Sequence, residues 1–408
     1  MEYLNKYPEE YARPLVSLFA YLGRLNVKFF NHDMPWFYRN WRFFYIVPIL
    51  VFHFITMSVY IVEVFVEGVD VFTDVFMIPI YLVHIHSFSK MTILNINKER
   101  FEKVIDELGQ TWRTDNLNDV QKDIKRSSEK ELWMVQLVFM KLPICVASQY
   151  VLLPILDTLF CNVILREDDE VRLPLRCSYP FDPSSSWVLY GITYCFQTYC
   201  IFNLTFSYVA TDFIFLCLSA QLSVEFMLLR EDLLHIKPTK VVDNDVTHIV
   251  YDNGKIRDFV IYHQKLLRLA EELNCASNKI MFVNLFFTAV NVSLFGLAVL
   301  VANNASDKIT NLIVILTILV LILTVCYSSE KLKSASEEIF NSACENLWYE
   351  GDKEYKQIIL FIMKRSQKPC YLKSLDVPIT HATFTTVMRT TWSYFSLMNK
   401  MYENEETN

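Results

Sequence analysis

Residues 364–401 read KRSQKPCYLKSLDVPITHATFTTVMRTTWSYFSLMNKM. A basic stretch with Pro369 and Pro378 gives way to Phe384, Val387, Met388, Trp392, Tyr394, Phe395 and Leu397, interleaved with Thr, Ser and Arg389. Whether this segment is a soluble amphipathic helix or a membrane crossing with one polar face decides the fold. Composition narrows the choice: of 408 residues, 53% are hydrophobic, 15% aromatic and only 20% charged, which is too apolar for a soluble protein. A helix needs about 20 apolar residues to cross a hydrocarbon core roughly 30 Å thick. Residues 43–66, 71–94, 132–160, 187–218, 280–302 and 309–326 meet that length. Pro48, Pro79, Pro143 and Pro154 lie inside these runs, where membrane helices tolerate them.

Charge orients the spans. Lys and Arg concentrate before the first run, between the second and third, between the fourth and fifth, and after the sixth. The alternate connections hold only Arg166, Arg172, Arg176 and Lys308, with Lys400 near the end. The positive-inside rule places the N-terminus in the cytoplasm. A final helix lying on the membrane surface would carry Lys and Arg on its polar face. Here that face is Thr380, Thr383, Thr385, Thr386, Thr390, Thr391, Ser393 and Ser396. Hydroxyls suit a helix facing water or helix neighbours, so the segment reads as a seventh crossing and a candidate pore lining. The expected fold is all-α, with seven transmembrane helices and an extracellular C-terminus. Its parts are a cytoplasmic segment (1–42), six spans with cytoplasmic extensions (43–343), a cytoplasmic anchor helix (344–377), the last span (378–401) and an outer tail (402–408).

Several function classes are excluded. Seven Gly leave no room for a phosphate-binding loop, and no G-x-G-x-x-G, G-x-S-x-G, H-E-x-x-H or C-x-x-C pattern occurs. No enzyme activity and no cofactor are expected. His84-x-His86 lacks a suitably spaced carboxylate or Cys to complete a metal site. Glu63, Asp157, Asp212 and Glu225 are scattered toward span ends, which argues against a membrane enzyme. Spans one to three show no hydropathy likeness to spans four to six, as a repeat-built transporter would. Cys161 and Cys177 share the middle outer loop, and their spacing leaves both the bridged and the free state open. Asn304-Ala-Ser306 fits the glycosylation pattern but lies too close to two spans for use. The polar N-terminus MEYLNKYPEEYARPL shows no cleavable signal, so the first span is expected to direct targeting. With short outer loops, a small ligand must be recognised inside the bundle.

The cytoplasmic side is richer. Residues 187–233 as one helix would reach ~70 Å. Phe259, Tyr262, Leu266, Leu269, Leu273 and Ala276 form one helical face, and Leu347, Trp348, Tyr355, Ile358, Ile359 and Ile362 a second. These faces pack together into a cytoplasmic domain or meet another subunit; the two readings are compatible.

IRDFVIYHQKLLRLAEELNCASNKIMFVNLF (256–286), CENLWYEGDKEYKQIILFIMKRSQKPCYL (344–372) and TFTTVMRTTWSYFSLM (383–398) resemble the insect odorant receptor family. The likeness is motif-specific over roughly the last third, and the Arg-Ser-Gln-Lys-Pro-Cys run is similar to moth and butterfly members. The resemblance implies a ligand-gated, non-selective cation channel of four subunits in the plasma membrane of an olfactory dendrite, surrounded by membrane lipid. A tuning subunit there pairs with an odorant co-receptor; this chain lacks the co-receptor's long insertion before span five. The resemblance implies a subunit anchor formed by Leu266, Leu269, Leu273, Leu347, Trp348, Tyr349, Ile358, Ile359 and Ile362. It carries the gate to Leu397, with Lys400 and Met401 at the outer mouth; because a buried unpaired Arg is costly, Arg389 is expected to face the inner vestibule or a carboxylate rather than lipid. Lys400 and Arg389 depart from the neutral and small residues expected there. The ligand pocket implied in the outer half falls on Phe72, Phe76, Met77, Ile80 and Tyr81; Ala147, Ser148, Tyr150 and Val151; Tyr190, Tyr194, Phe196 and Gln197; and Ile313, Leu316 and Thr317. No cation lies among these residues, so a neutral volatile is the expected ligand. A gustatory receptor shares the fold, but its terminal signature differs from Trp-Ser-Tyr-Phe.

Overall fold

The computed structural model describes residues 2–24, 29–30, 43–66, 77–159, 172–236, 238–243, 246–302 and 305–406. Helix starts follow local chemistry. Asn118 and Gln121 form a reciprocal cap ahead of α5: Asn118 Oδ1 accepts from the Gln121 amide at 2.7 Å, and Gln121 Oε1 from the Asn118 amide at 3.1 Å. Ser186 caps α6, Asp252 caps α7 and Asp352 caps α9, each accepting from a backbone N–H three residues on. The helices are α1 (Glu9–Arg24), α2 (Phe43–Val66), α3 (Met77–Ile96), α4 (Lys98–Thr111), α5 (Asp119–Leu159), α6 (Trp187–His235), α7 (Asn253–Val301), α8 (Ala305–Glu345), α9 (Lys353–Ser366) and α10 (His381–Glu406).

Among the described residues, α2, α5, α6, α7 and α8 are long and apolar enough to cross a membrane; α3 and α10, which hold the expected second and seventh crossings, are 20 and 26 residues long. Not only α6 but also α5, α7 and α8 run unbroken beyond their apolar stretches, at 41, 49, 49 and 41 residues for α5 to α8. The change from apolar to polar sequence alters a helix's solvent without breaking it. The stopping signals are absent at those junctions. We call the end of the bundle holding Leu159, Trp187 and Val301 the outer end, following the charge pattern.

α6 is the axis: 89% of its most apolar stretch is buried. Around its inner half lies the main core, built with Leu15, Leu18 and Leu22 of α1, Phe101, Ile105 and Leu108 of α4, and the inner parts of α7, α8 and α9. α1 buries Tyr11, Leu15, Leu18 and Leu22 at helical spacing. It seats closely on α4 because Gly109 has no side chain: a Cβ there would lie 2.7 Å from the rings of Tyr7 and Tyr11. α2 instead turns Phe44, Val51, Phe52, Ile55, Val59 and Val62 outward, as a lipid-facing helix does.

Two short hairpins depart from the all-helical expectation locally. β1 (Thr239–Asp243) pairs antiparallel with β2 (Val246–Val250). β3 (Lys373–Ser374) pairs with β4 (Val377–Pro378) through a turn in which Leu375 holds φ at 55°. Asn278 accepts from and donates to the Leu375 backbone at 2.6 and 3.1 Å, while Asn274 accepts from the Lys373 amide at 2.8 Å. This hairpin fastens the start of α10 to α7. Cys161, considered as a partner for Cys177, lies outside the described residues, as does Asn304.

Candidate functional site

Five helices surround a cavity of about 120 Å3 in the bundle. Each offers a stripe at helical spacing: Ile80, Val83, His84 and Ser87 of α3; Pro143, Val146, Ala147 and Tyr150 of α5; Ile201, Leu204, Thr205 and Tyr208 of α6; Thr288, Asn291 and Phe295 of α7; Val314, Thr317, Ile318 and Leu321 of α8. His86 joins them from off the stripe, stacked on Phe287 at 5.0 Å and edge-on to Tyr208 at 5.1 Å. The outer walls are aliphatic and aromatic, whereas Ser87, His86, Tyr208, Thr288 and Asn291 gather toward the inner end.

The roof comes from the loop before α6. Leu175, 3% exposed, packs among Met57, Met77, Ala147 and Ile201 and lines the cavity. Gln197 holds it: the Leu175 amide donates to Gln197 Oε1, and Gln197 Nε2 donates to the Leu175 carbonyl, both at 2.9 Å. Gln197 Nε2 also lies 3.0 Å from the Tyr179 hydroxyl. Tyr190 donates to the Arg172 carbonyl at 3.0 Å, and the Ser178 amide to the Thr56 carbonyl at 3.1 Å, so the loop is tied at several points.

Of the pocket residues expected from sequence, Ile80, Ala147, Tyr150 and Thr317 line the cavity. Met77 and Val151 pack around Leu175 just outside it. Tyr81 is hydrogen-bonded to Ser58 at 2.8 Å, Ser148 donates to its own helix carbonyl at Ile144, and Tyr194 donates to the Val151 carbonyl. Tyr190 and Gln197 serve the roof. Phe196 packs on Phe52 at 5.6 Å, Ile313 is half-buried, and Leu316 points outward from α8 at 54% exposure. Phe72 and Phe76 lie outside the described residues. The cavity also takes in α7, absent from the expectation, and extends inward to Tyr208 and Leu321. The repeated four-residue stripes on α3, α5, α6 and α8 were a readable signal for it.

On α10, Val387 and Thr391 are buried against the bundle, and Ser293 of α7 donates to the Thr391 carbonyl at 3.1 Å. Phe395 lies over Gly296, where a Cβ would come within 2.9 Å of its ring. Arg389, Ser393, Leu397, Lys400 and Met401 share the opposite, exposed face, with Leu397 at 58%. The aromatic residues divide: Phe384 and Phe395 face the bundle, while Trp392 and Tyr394 face away. Thr385, Thr386, Thr390 and Ser393 each donate to the carbonyl four residues back at 3.0–3.1 Å, so these hydroxyls are satisfied within the helix.

Sequence reasoning passed over Lys90. Its ammonium, fully buried on α3, meets Asp212 of α6 at 2.8 Å and sits 3.5 Å from the centre of the Tyr208 ring. Asn284 of α7 donates to the same carboxylate at 3.3 Å. A Lys inside an apolar run was the available signal, since such residues are costly in a membrane and face the bundle interior.

On the cytoplasmic side, Leu266, Leu269, Leu273, Ile359 and Ile362 are buried in this chain's own core. Leu347, Trp348 and Ile358 are half-buried, while Tyr349, Leu360 and Phe361 are exposed. Arg113 ties the region together through Glu225 at 3.2 Å and Asp232, and Tyr262 donates to Glu225 at 2.7 Å. His263, in the extension of α7 outside the membrane span, is held neutral: burial beside Phe226 and Phe259, with Arg365 nearby, lowers its pKa to about 4.

Residues 70–392 match the family model described as 7tm Odorant receptor. The chain is 26% identical to putative odorant receptor 92a of Drosophila melanogaster over 76% of its own length and 74% of that protein's. With odorant receptor 85c of the same fly the identity is 23%, over 56% of this chain and 57% of that one. Among solved structures, the olfactory receptor OR5 of Machilis hrabei superposes with a TM-score of 0.73 at 13% identity, covering 96% of this chain and 99% of that one. Its complex with eugenol gives 0.72 at 14% identity, over 96% and 100%.

Proposed function

The chain belongs to the insect seven-transmembrane odorant receptor family, a class of multi-pass membrane receptors rather than enzymes, and from that premise we propose that it is the odorant-binding subunit of a ligand-gated, non-selective cation channel. The observation that carries this reading is the cavity beneath Leu175, within the helix bundle and closed by a tied loop. Apolar walls bind by burial, at roughly 25 cal/mol per Å2, and the few polar groups orient the ligand. None of the lining residues is a carboxylate, Lys or Arg, which favours a neutral volatile. The solved relative in complex with eugenol supports a ligand of this size and character.

The subunit works in a heterotetramer with odorant co-receptor subunits in the plasma membrane, its N-terminus cytoplasmic and its C-terminus outside. Each subunit contributes its α10 to a central pore, where the exposed face of Arg389, Leu397, Lys400 and Met401 lies free of this chain's own bundle. Leu397 rings close the pore by dewetting. Lys400 at the mouth repels cations, which a mixed assembly tolerates better than a homomer. The exposed Tyr349, Leu360 and Phe361 suit the cytoplasmic subunit contact better than the buried leucines of α7, which hold each subunit together.

Whole-cell recording from cells expressing the chain with and without an odorant co-receptor, across a panel of neutral volatiles, tests the proposal. Reversible, volatile-evoked cation current that requires both chains, and an altered closed state in Leu397→Ser, are expected. Evoked current from the chain alone would overturn the required partnership. Uptake of a solute without any current would favour a transporter.

A further inference from the structure

Four buried side-chain atoms of the cavity lack a hydrogen-bond partner among the described residues: His84 Nδ1 and the Tyr150 hydroxyl, and, at the inner end, His86 Nε2 and Asn291 Oδ1, which accept. His86 and Asn291 are each 1% exposed. The Asn284 side-chain nitrogen donates to Asp212 at 3.3 Å, which leaves its oxygen available to a ring N–H of His86. With that proton on Nδ1, Nε2 presents a lone pair, and it has no partner among the described residues. Asn291 Oδ1 is likewise unpartnered.

Three of the hydroxyls around them are spent inside their own helices. Ser87, Thr205 and Thr317 donate to the carbonyls of Val83, Ile201 and Ile313 in their own helices at 2.8–3.0 Å. Tyr150 has a free hydroxyl, but it belongs to the outer half of α5, in the turns beyond Pro143. Buried acceptors left without a donor carry a desolvation penalty, so a ligand that brings one is favoured over an isomer that does not. With no carboxylate lining the cavity, a charged amine is a poor candidate for that donor.

We propose that the cavity selects a neutral hydroxyl compound, an alcohol or a phenol, whose O–H donates to His86 Nε2 or Asn291 Oδ1 while its carbon skeleton fills the outer half beneath Leu175. This rests on the reading of the cavity as the ligand site. Tyr150 can serve any ligand oxygen and does not discriminate.

Isomer pairs separate the donor from size and polarity: 1-hexanol against 1-methoxypentane, and 2-phenylethanol against benzyl methyl ether. Binding to the full chain in lipid nanodiscs, read by thermal-unfolding shift, is expected to be about tenfold or more tighter for each alcohol than for its ether. His86→Phe keeps the ring stacked on Phe287 and should cut that ratio below about threefold without weakening the ether. Asn291→Leu provides a second variant should the first fail to fold, and Tyr150→Phe should weaken alcohol and ether together. Ethers that bind as tightly as alcohols, no alcohol binding, or a ratio unchanged in both His86→Phe and Asn291→Leu would overturn the inference. Recording currents with the same compounds separates the two claims. Alcohols that bind selectively yet evoke no current leave this inference standing and count against the channel reading; currents opened equally by the ethers do the reverse.

Discussion

Leu175 and Gln197 are joined by two hydrogen bonds of 2.9 Å that run in opposite directions, so that a side-chain amide pairs with a loop backbone as a second strand would. The amide is fully buried, and the loop residue it fixes is the roof of the cavity. Gln197→Leu keeps the volume but strands a backbone N–H and C=O. At about 1 kcal/mol net per bond, it is expected to raise the half-activating concentration of an agonist roughly tenfold and to speed deactivation. Gln197→Glu, which sets a carboxylate against the Leu175 carbonyl at a buried site, should be at least as damaging. Concentration–response curves with surface labelling check this; a wild-type curve for Gln197→Leu would contradict it.

The buried pair Lys90–Asp212 ties α3 to α6 below the cavity, with Asn284 bringing in α7. Lys90→Met leaves Asp212 uncompensated and is expected to cost about 3–5 kcal/mol, seen as lost surface expression and a lower Tm. Adding Asp212→Leu should restore much of it, because an apolar pair no longer carries an unpaired charge. If the double variant is as damaged as the single one, the pair is not acting as a unit.

Gly296 and Phe395 set how closely α10 approaches α7. A Cβ at position 296 would lie 2.9 Å from the Phe395 ring, so Gly296→Val must push α10 outward. The expected result is a shift in resting open probability, measurable as basal current. Phe395→Ala in the Gly296→Val background should return that current toward wild type, and a double variant no closer than Gly296→Val would refute the contact.

His263 gives the cytoplasmic region an acid limit. Its pKa in the folded chain is lowered to about 4, against about 6.5 when unfolded. The unfolded chain therefore takes up a proton first as pH falls, and stability declines from pH 6.5 toward pH 4, by on the order of 3 kcal/mol over the window. Purified His263→Leu should show a shallower decline in Tm across that range than wild type.

Much of the fold is legible in the sequence because membrane spans are a local, length-limited signal. Residues 43–66 match α2 at both ends, the apolar runs at 187–218 and 309–326 fall inside single helices, and those at 132–160 and 280–302 begin inside α5 and α7, which end at Leu159 and Val301. The cavity is less legible. Tyr190, Tyr194 and Gln197 stand at the expected depth, but their hydrogen bonds go to backbone carbonyls across a loop or a neighbouring helix, which periodicity does not encode. Leu175 lies in a polar, proline-containing loop and looks like a connection until its burial is known. Lys90 and Asp212 are 122 residues apart, and only the packing of α3 on α6 makes them partners.

The most direct test fills the cavity. Ala147, 4% exposed, lines it from α5 beneath Leu175, and Trp at this position would occupy the space a ligand needs without altering Leu397. Whole-cell current would be recorded from cells expressing an odorant co-receptor with wild-type chain or with Ala147→Trp, at matched surface levels. The account predicts that the variant reaches the surface and loses volatile-evoked current. An unchanged concentration–response curve would show that odorants act elsewhere on the molecule.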